Sequence, residues 1–214
     1  ILKWKTMKKF LIIDDHVVVR SGIKGLLAEL YQPSITEEAF DGESALASLK
    51  HNFYDLVLLD IQMPNTDALG LMEYFKIKFP DLKVLVFSMS PENVYAKRFL
   101  KAGAKGFISK DAPLQELKTA ITRVLNSGRY ISSDLAEALA MTENQQKENN
   151  IFNRLSAREF EIANLLLEGN NLSSIANSLH LRVSTIGTHK ARIFEKLNIK
   201  NLLQLKDLAV SYRF

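Results

Sequence analysis

The chain contains no cysteine. Disulfides, thiolate nucleophiles and cysteine-based zinc sites are therefore excluded, and a reducing compartment fits. It also lacks any apolar run approaching the roughly 20 residues that a membrane span needs, so no membrane association is expected. The stretch MKKFLIIDDH has a basic start, but its apolar part stops at Asp14 and Asp15, too short for the core of a signal peptide. Met7 reads as an initiator, and residues 1–6, Trp4 included, are set aside from the fold argument. A cytoplasmic protein is expected. His16, His51 and His180 share no ligand spacing and are assigned no metal, while His189 reads either as a phosphate donor or as an ordinary half-buried histidine.

What is present is 214 residues, 47% hydrophobic and 24% charged, ordinary values for globular protein and enough chain for two domains. The charge is uneven. Residues 152–214 carry nine basic and five acidic side chains, which accounts for the whole formal excess of +4. A neutral larger part joined to a basic smaller one points to a polyanion partner for the latter. Between them TENQQKENN, 142–150, is polar with no apolar period and reads as a linker. The preceding YISSDLAEALAM reads as a short helix capped by Ser132 or Ser133.

Upstream of the linker, short apolar runs at 10–13, 35–40, 56–59, 84–87 and 106–108 alternate with helical patterns at 17–30, 44–52, 69–79, 94–102 and 114–126. Five strands alternating with five helices predict an α/β domain with a doubly wound, five-stranded parallel sheet. In such a sheet ligands bind beyond the carboxyl ends of the strands. Asp14 and Asp15 end the first run, Asp60 the third and Ser88 the fourth, and Lys110 follows the fifth. Each alone is an ordinary cap or turn residue, but together they mark one end of one sheet.

Three converging carboxylates require a cation among them, and oxygen ligands with open positions suit Mg2+. Lys110 and Ser88 are suited to phosphoryl oxygens, and an aspartate can itself be the nucleophile. The chemistry that follows is phosphoryl transfer onto an aspartate.

The stretches FLIIDDH, DGESAL, YDLVLLDIQMP, VLVFSMS and AKGFISKDAP resemble the receiver domain of two-component response regulators over residues 7–127. The resemblance implies a flavodoxin-like fold, Asp60 as phosphoacceptor, Asp14, Asp15 and Asp60 as magnesium ligands, and Ser88 and Lys110 as catalytic partners. It further implies Ser88 and Phe107 as the switch pair and a histidine kinase as phosphodonor. Phe107 reads equally well as a core aromatic. The chain departs from the family at Asp67-Ala68, where Asp-Gly is common, and at Met89, a bulky residue expected to restrict access to Asp60.

In the basic third, Ser156 and Glu159 form a capping box and Gly169 ends the helix that follows. A second helix over 173–179 turns Ile175, Ala176 and Leu179 inward. A third over 183–197 turns Ile186, Ile193 and Leu197 inward and leaves Ser184, Thr188, Ala191 and Glu195 outside. This is a helix-turn-helix pattern. LSAREFEIANLLLEG, SSIANSLHL, STIGTHKARIFEKL and NLLQLKDLA make residues 152–214 similar to the all-α, LuxR-type domain of NarL/FixJ-type regulators. The resemblance implies double-stranded DNA as partner, contacted by Ser184, Thr185, Gly187, Thr188 and Ala191, with Lys190, Arg192 and Lys196 on phosphates. It also implies a homodimer in the active state, with the last helix contributing. Arg182 replaces the usual capping serine, and Ser184 is expected to cap instead. The base-facing side chains are small, so thymine methyl contacts and DNA shape are expected to carry specificity.

The expected organisation is thus a receiver over 7–127, a linker over 128–151 and a DNA-binding domain over 152–214, with phosphorylation controlling transcription. No enzyme activity is expected beyond the receiver's own phosphoryl transfer and dephosphorylation. One alternative is a receiver that serves only as a phosphorylation-independent dimerisation module. Another, an aspartyl-nucleophile phosphohydrolase, is disfavoured because Ile61-Gln62 follows Asp60 with no acid two residues on.

Overall fold

The structure is a computed structural model that describes residues 7–64, 66–142, 151–179 and 181–212. The set-aside residues 1–6, most of the TENQQKENN linker and His180 lie outside these. The chain divides into two compact units, Ile1–Ala140 and Met141–Phe214.

In the first unit, strands β1 (Lys8–Ile13), β2 (Ser34–Ala39), β3 (Leu56–Leu59), β4 (Val84–Ser88) and β5 (Gly106–Ser109) form one parallel sheet in the order β2-β1-β3-β4-β5. The strand order reverses between β1 and β3, so the carboxyl ends of those two strands flank the crevice where such sheets bind ligands. The unbroken apolar runs are explained by burial on both faces: all four residues of β3 and all five of β4 are buried. One face packs Phe10, Ile12, Leu58, Leu85 and Ile108 against α1 (Val17–Leu30) and α5 (Leu114–Ser127). The alternating residues, Leu11, Ile13, Leu59, Val86 and Phe107, serve the other face. There α2 (Gly42–His51), α3 (Ala68–Lys78) and α4 (Glu92–Lys101) contribute Leu49, Phe75 and Phe99 to the core.

Local chemistry sets the helix starts. Helix α2 begins two residues before the apolar pattern does, because Asp41 accepts from the Ser44 amide at 2.8 Å in a capping box. Asp67 caps α3 by accepting from the Gly70 amide at 3.1 Å, and Ala68 is the buried first residue of that helix. The departure from Asp-Gly therefore leaves an ordinary helix start. Gly106 opens β5 where a Cβ would stand 2.9 Å from the Tyr130 carbonyl and 3.0 Å from Leu85, so a side chain there would push β5 away from the chain leaving α5. Helix α6 (Ser133–Thr142) follows, with Ser132 accepting from the Leu135 amide at 3.1 Å; of the two serines the sequence allowed, Ser132 is the cap.

The second unit holds a 3-10 turn, Ile151–Arg154, and helices α7 (Ala157–Leu167), α8 (Leu172–Ser178), α9 (Val183–Leu197) and α10 (Leu202–Tyr212). The Ser156–Glu159 capping box is formed, and Gly169, with φ of 90°, follows the end of α7. Ile175, Ala176, Ile186, Ile193 and Leu197 are buried together with Phe152 and Leu205, whereas Leu179 is only half-buried. Among the described residues no helix is long and apolar enough to cross a membrane.

Candidate functional site

The parallel register brings the ends of β1, β3, β4 and β5 to one edge of the sheet. The Asp60 amide donates to the Ile13 carbonyl at 2.8 Å and the Lys110 amide to the Ser88 carbonyl at 3.0 Å, so the ladder itself aligns the four polar termini. Asp60 is 3% exposed, and Asp14 and Ser88 are buried beside it.

Both Asp60 oxygens are held. Oδ1 accepts from the Ser88 hydroxyl at 2.8 Å and the Gln62 amide at 3.0 Å. Oδ2 lies 2.7 Å from Lys110 Nζ, which also stands 2.6 Å from Asp14 Oδ2. Burial pushes the Lys110 ammonium towards neutrality, but the Asp60 and Asp14 carboxylates outweigh it and raise its pKa above the usual lysine value. The lysine is therefore a firmly charged bridge between two buried carboxylates. Asp15 stands more exposed, and its Oδ1 atom is buried without a hydrogen-bond partner.

An orphaned carboxylate oxygen beside two further carboxylates fits a hard divalent cation with oxygen ligands. One ligand atom from each of Asp14, Asp15, His16 and Asp60 lies within 4.8 Å of the others. His16, for which the sequence offers no ligand spacing, stands among these groups. Its amide donates to Asp14 Oδ1 at 2.8 Å, and this turn folds the imidazole back towards the acids. Phe107 is fully buried on β5. Met89 is exposed, next to the buried Ser88.

On the second unit, α9 presents Ser184, Thr188, Ala191 and Arg192 as exposed, with Thr185, Gly187, His189 and Lys190 half-buried. A Cβ on Gly187 would meet nothing within 4 Å, which puts that position on an open surface. Lys190 Nζ lies 5.4 Å from the Phe194 ring centroid, and the Thr188 hydroxyl donates to the Ser184 carbonyl at 3.1 Å. One expectation changes. Helix α9 has no side-chain cap: Arg182 occupies the N-cap without one, and Ser184 does not replace it. Lys196 lies 2.6 Å from Glu159 Oε2 on α7, so its ammonium is drawn into a structural ion pair. Burial pushes the Glu159 carboxyl up, but Lys196 and the Ser156 amide together hold it below the usual glutamate value.

Comparison with known proteins agrees with this division. Residues 10–122 match the response regulator receiver domain and residues 153–209 the bacterial regulatory proteins of the luxR family. Over 207 residues the chain is 36% identical to response regulator GacA of Pseudomonas aeruginosa, covering 96% of this chain and 97% of that protein. It is 32% identical to response regulator UvrY of Escherichia coli K12, covering 96% and 95%. Among solved structures, RcsB of Salmonella typhimurium shares the fold with a TM-score of 0.60 at 23% identity, over 95% of this chain and 99% of that one. RcsB is also known bound to promoter DNA, and as two dimers on two parallel DNAs.

Proposed function

Because this chain belongs to the two-component response regulators that join a receiver domain to a LuxR-family DNA-binding domain, we propose that Asp60 accepts a phosphoryl group from a partner histidine kinase and thereby controls DNA binding. The protein is a DNA-binding regulator of transcription. We take the receiver as residues 7–127, the linker as 128–151 and the DNA-binding domain as 152–214, a division in keeping with the two compact units. Its place of action on this reading is the cytoplasm, where DNA is accessible.

The observation that carries the proposal is the setting of Asp60: a buried carboxylate with a hydroxyl on one oxygen and an ammonium on the other. One Asp60 oxygen attacks the phosphorus of the donor phosphohistidine. A P–O bond forms as the P–N bond breaks, and the electron pair leaves with the imidazole, which takes up a proton. Lys110 and Ser88, already within hydrogen-bond reach of Asp60, transfer their donors to the phosphoryl oxygens. Mg2+ held by Asp14, Asp15 and Asp60 supplies neutralisation of the phosphoryl charge when bound. Release of Ser88 from Asp60 shifts the start of the loop between β4 and α4, and the packing of Phe107 on the neighbouring strand follows. The chain catalyses only its own phosphorylation and its own dephosphorylation, in which water takes the phosphoryl group and the Asp60 carboxylate is restored.

Helix α9 enters the major groove. Ser184, Thr185, Gly187, Thr188 and Ala191 face the bases, where small side chains favour thymine methyl contacts and DNA shape. Lys190 and Arg192 contact phosphates. Helix α10 leaves Leu203 67% and Val210 80% exposed, one helical face apart by seven residues, and supplies an apolar face to a second copy in an active homodimer. Binding to genomic fragments tests the whole reading, with and without a small phosphodonor and Mg2+, in wild type and Asp60→Ala. Donor-dependent tightening is expected only in wild type. Equal binding in every case would leave the receiver as a phosphorylation-independent dimerisation module.

A further inference from the structure

Four donor groups meet where β1 ends, and one of them is a nitrogen. His16 Nδ1 stands 3.0 Å from Asp15 Oδ1 and 3.3 Å from Asp14 Oδ1. The approach to Asp15 is close without being aligned as a hydrogen bond, since Asp15 Oδ1 has no hydrogen-bond partner although it is buried. Adjacent donors around an octahedral ion with bonds of about 2.1 Å lie about 3.0 Å apart. His16 Nδ1 is thus spaced from each carboxylate oxygen as one corner of a coordination shell is from the next.

The other contacts leave this side to a cation. Lys110 engages Asp14 and Asp60 through their Oδ2 atoms, and Asp60 Oδ1 is occupied by Ser88 and the Gln62 amide. Asp15 Oδ1 is an oxygen with no hydrogen-bond partner among the described residues, and His16 is the side chain beside it. The imidazole is held by its own backbone turn and by the 3.3 Å contact of its Nδ1 with Asp14 Oδ1, and is otherwise largely exposed, so it can adjust towards an ion without unpacking the core.

On the reading that Asp14, Asp15 and Asp60 hold a divalent ion, we propose that His16 Nδ1 is a further ligand of that ion and biases the site from Mg2+ towards divalent transition ions. Mg2+ takes oxygen donors almost exclusively and sheds its water reluctantly. An imidazole nitrogen adds little to its affinity and more to that of first-row transition ions. The mildest of these, Mn2+, shares the octahedral preference and gives a spectroscopic signal, so it is the appropriate probe.

The test uses the full chain. Mn2+ binding is followed by loss of the free-ion electron paramagnetic resonance signal, Mg2+ binding by competition, and nitrogen at the bound ion by pulsed measurement of 14N coupling. Wild type is compared with His16→Phe, and with His16→Asn should the aromatic replacement disturb the fold. The expected result is 14N coupling in wild type that vanishes in the variants, with the Mn2+ over Mg2+ preference falling about three- to tenfold. Tight Mn2+ binding without 14N coupling, and with an unchanged preference in the variants, would overturn the ligand role while leaving the acidic metal site intact. Failure of wild type to bind either ion would overturn both.

Discussion

The Ser132 hydroxyl stands 3.0 Å from each carboxylate oxygen of Glu92, tying the residue that caps α6 to the first turn of α4. Glu92 follows Ser88 by four residues, at the far end of the loop that moves first if Ser88 leaves Asp60. Tyr130, just before α6, donates to Glu116 at 2.6 Å at the start of α5. The entry to the linker is therefore moored at two points on the receiver, one of them within reach of the phosphoacceptor loop.

Loss of the cap should loosen α6 selectively. Ser132→Ala removes the acceptor for the Leu135 amide, and a lost serine cap costs about 1 kcal/mol, or about fivefold in local opening. Hydrogen exchange at residues 135 and 136 should quicken by that factor, with the amides of the central strands unchanged.

Glu92 should make this mooring depend on pH. Burial pushes its carboxyl up, the Ser132 bond offsets part of that, and the nearby Glu116 and Asp134 charges push it further above 4.5. The folded state therefore holds the proton more tightly than the unfolded chain, so stability falls as pH rises from the ordinary glutamate value through the folded one. Corrected for intrinsic rates, protection at the start of α6 should be greater at pH 5 than at pH 7. Glu92→Gln, which still accepts from Ser132, should abolish the difference.

The Lys196–Glu159 pair should matter more to folding than to DNA affinity. Glu159 is 4% exposed and Lys196 40%, so the lysine is partly screened while the glutamate is not. Lys196→Met leaves a buried carboxylate with its Ser156 bonds but no cation, a loss of about 1–2 kcal/mol. Because the folded Glu159 pKa lies below its ordinary value, this stability is present above about pH 4.5 and is lost as pH falls through the folded value. Urea unfolding of wild type should weaken over that range, and Lys196→Met should flatten the curve. Lys190→Ala and Arg192→Ala should behave oppositely, keeping stability but each lowering the salt slope of DNA binding by about 1.

The contrast between these lysines shows what the sequence could reveal. The periodicities of α9 and the strands are local, so Ile186, Ile193 and Leu197, and the polar strand ends from Asp14 to Lys110, were legible as one core face and one site. Lys196 and Glu159 are 37 residues apart on two helices, and no local pattern records their pairing. The place of His16 beside the acids is illegible for a related reason: it has no histidine at ligand spacing, and the adjacent carboxylates are reached through a backbone turn. The mooring of Ser132 on Glu92 likewise spans 40 residues.

Lys110 offers the sharpest connection between stability and the metal site. Its ammonium is the cation between Asp14 and Asp60, and removing one partner of a buried ion pair costs about 3–5 kcal/mol because the remaining charge stays buried. Lys110→Met should accordingly lower the thermal midpoint of the receiver in the presence of a chelator. A divalent ion binds the folded acidic cluster and not the dispersed carboxylates of the unfolded chain, so it stabilises by mass action. With the lysine gone, the ion has less competition for the carboxylates, and Mg2+ should raise the variant's midpoint more than it raises that of wild type. In wild type the raised Lys110 pKa means that the contribution of the ammonium is complete below pH 10.5 and is lost as pH rises through the folded value. Melting curves at neutral pH with and without Mg2+ check the two midpoint statements, and curves carried above pH 10.5 check the last. Equal Mg2+ increments in the two proteins would mean that the ion does not share carboxylates with Lys110.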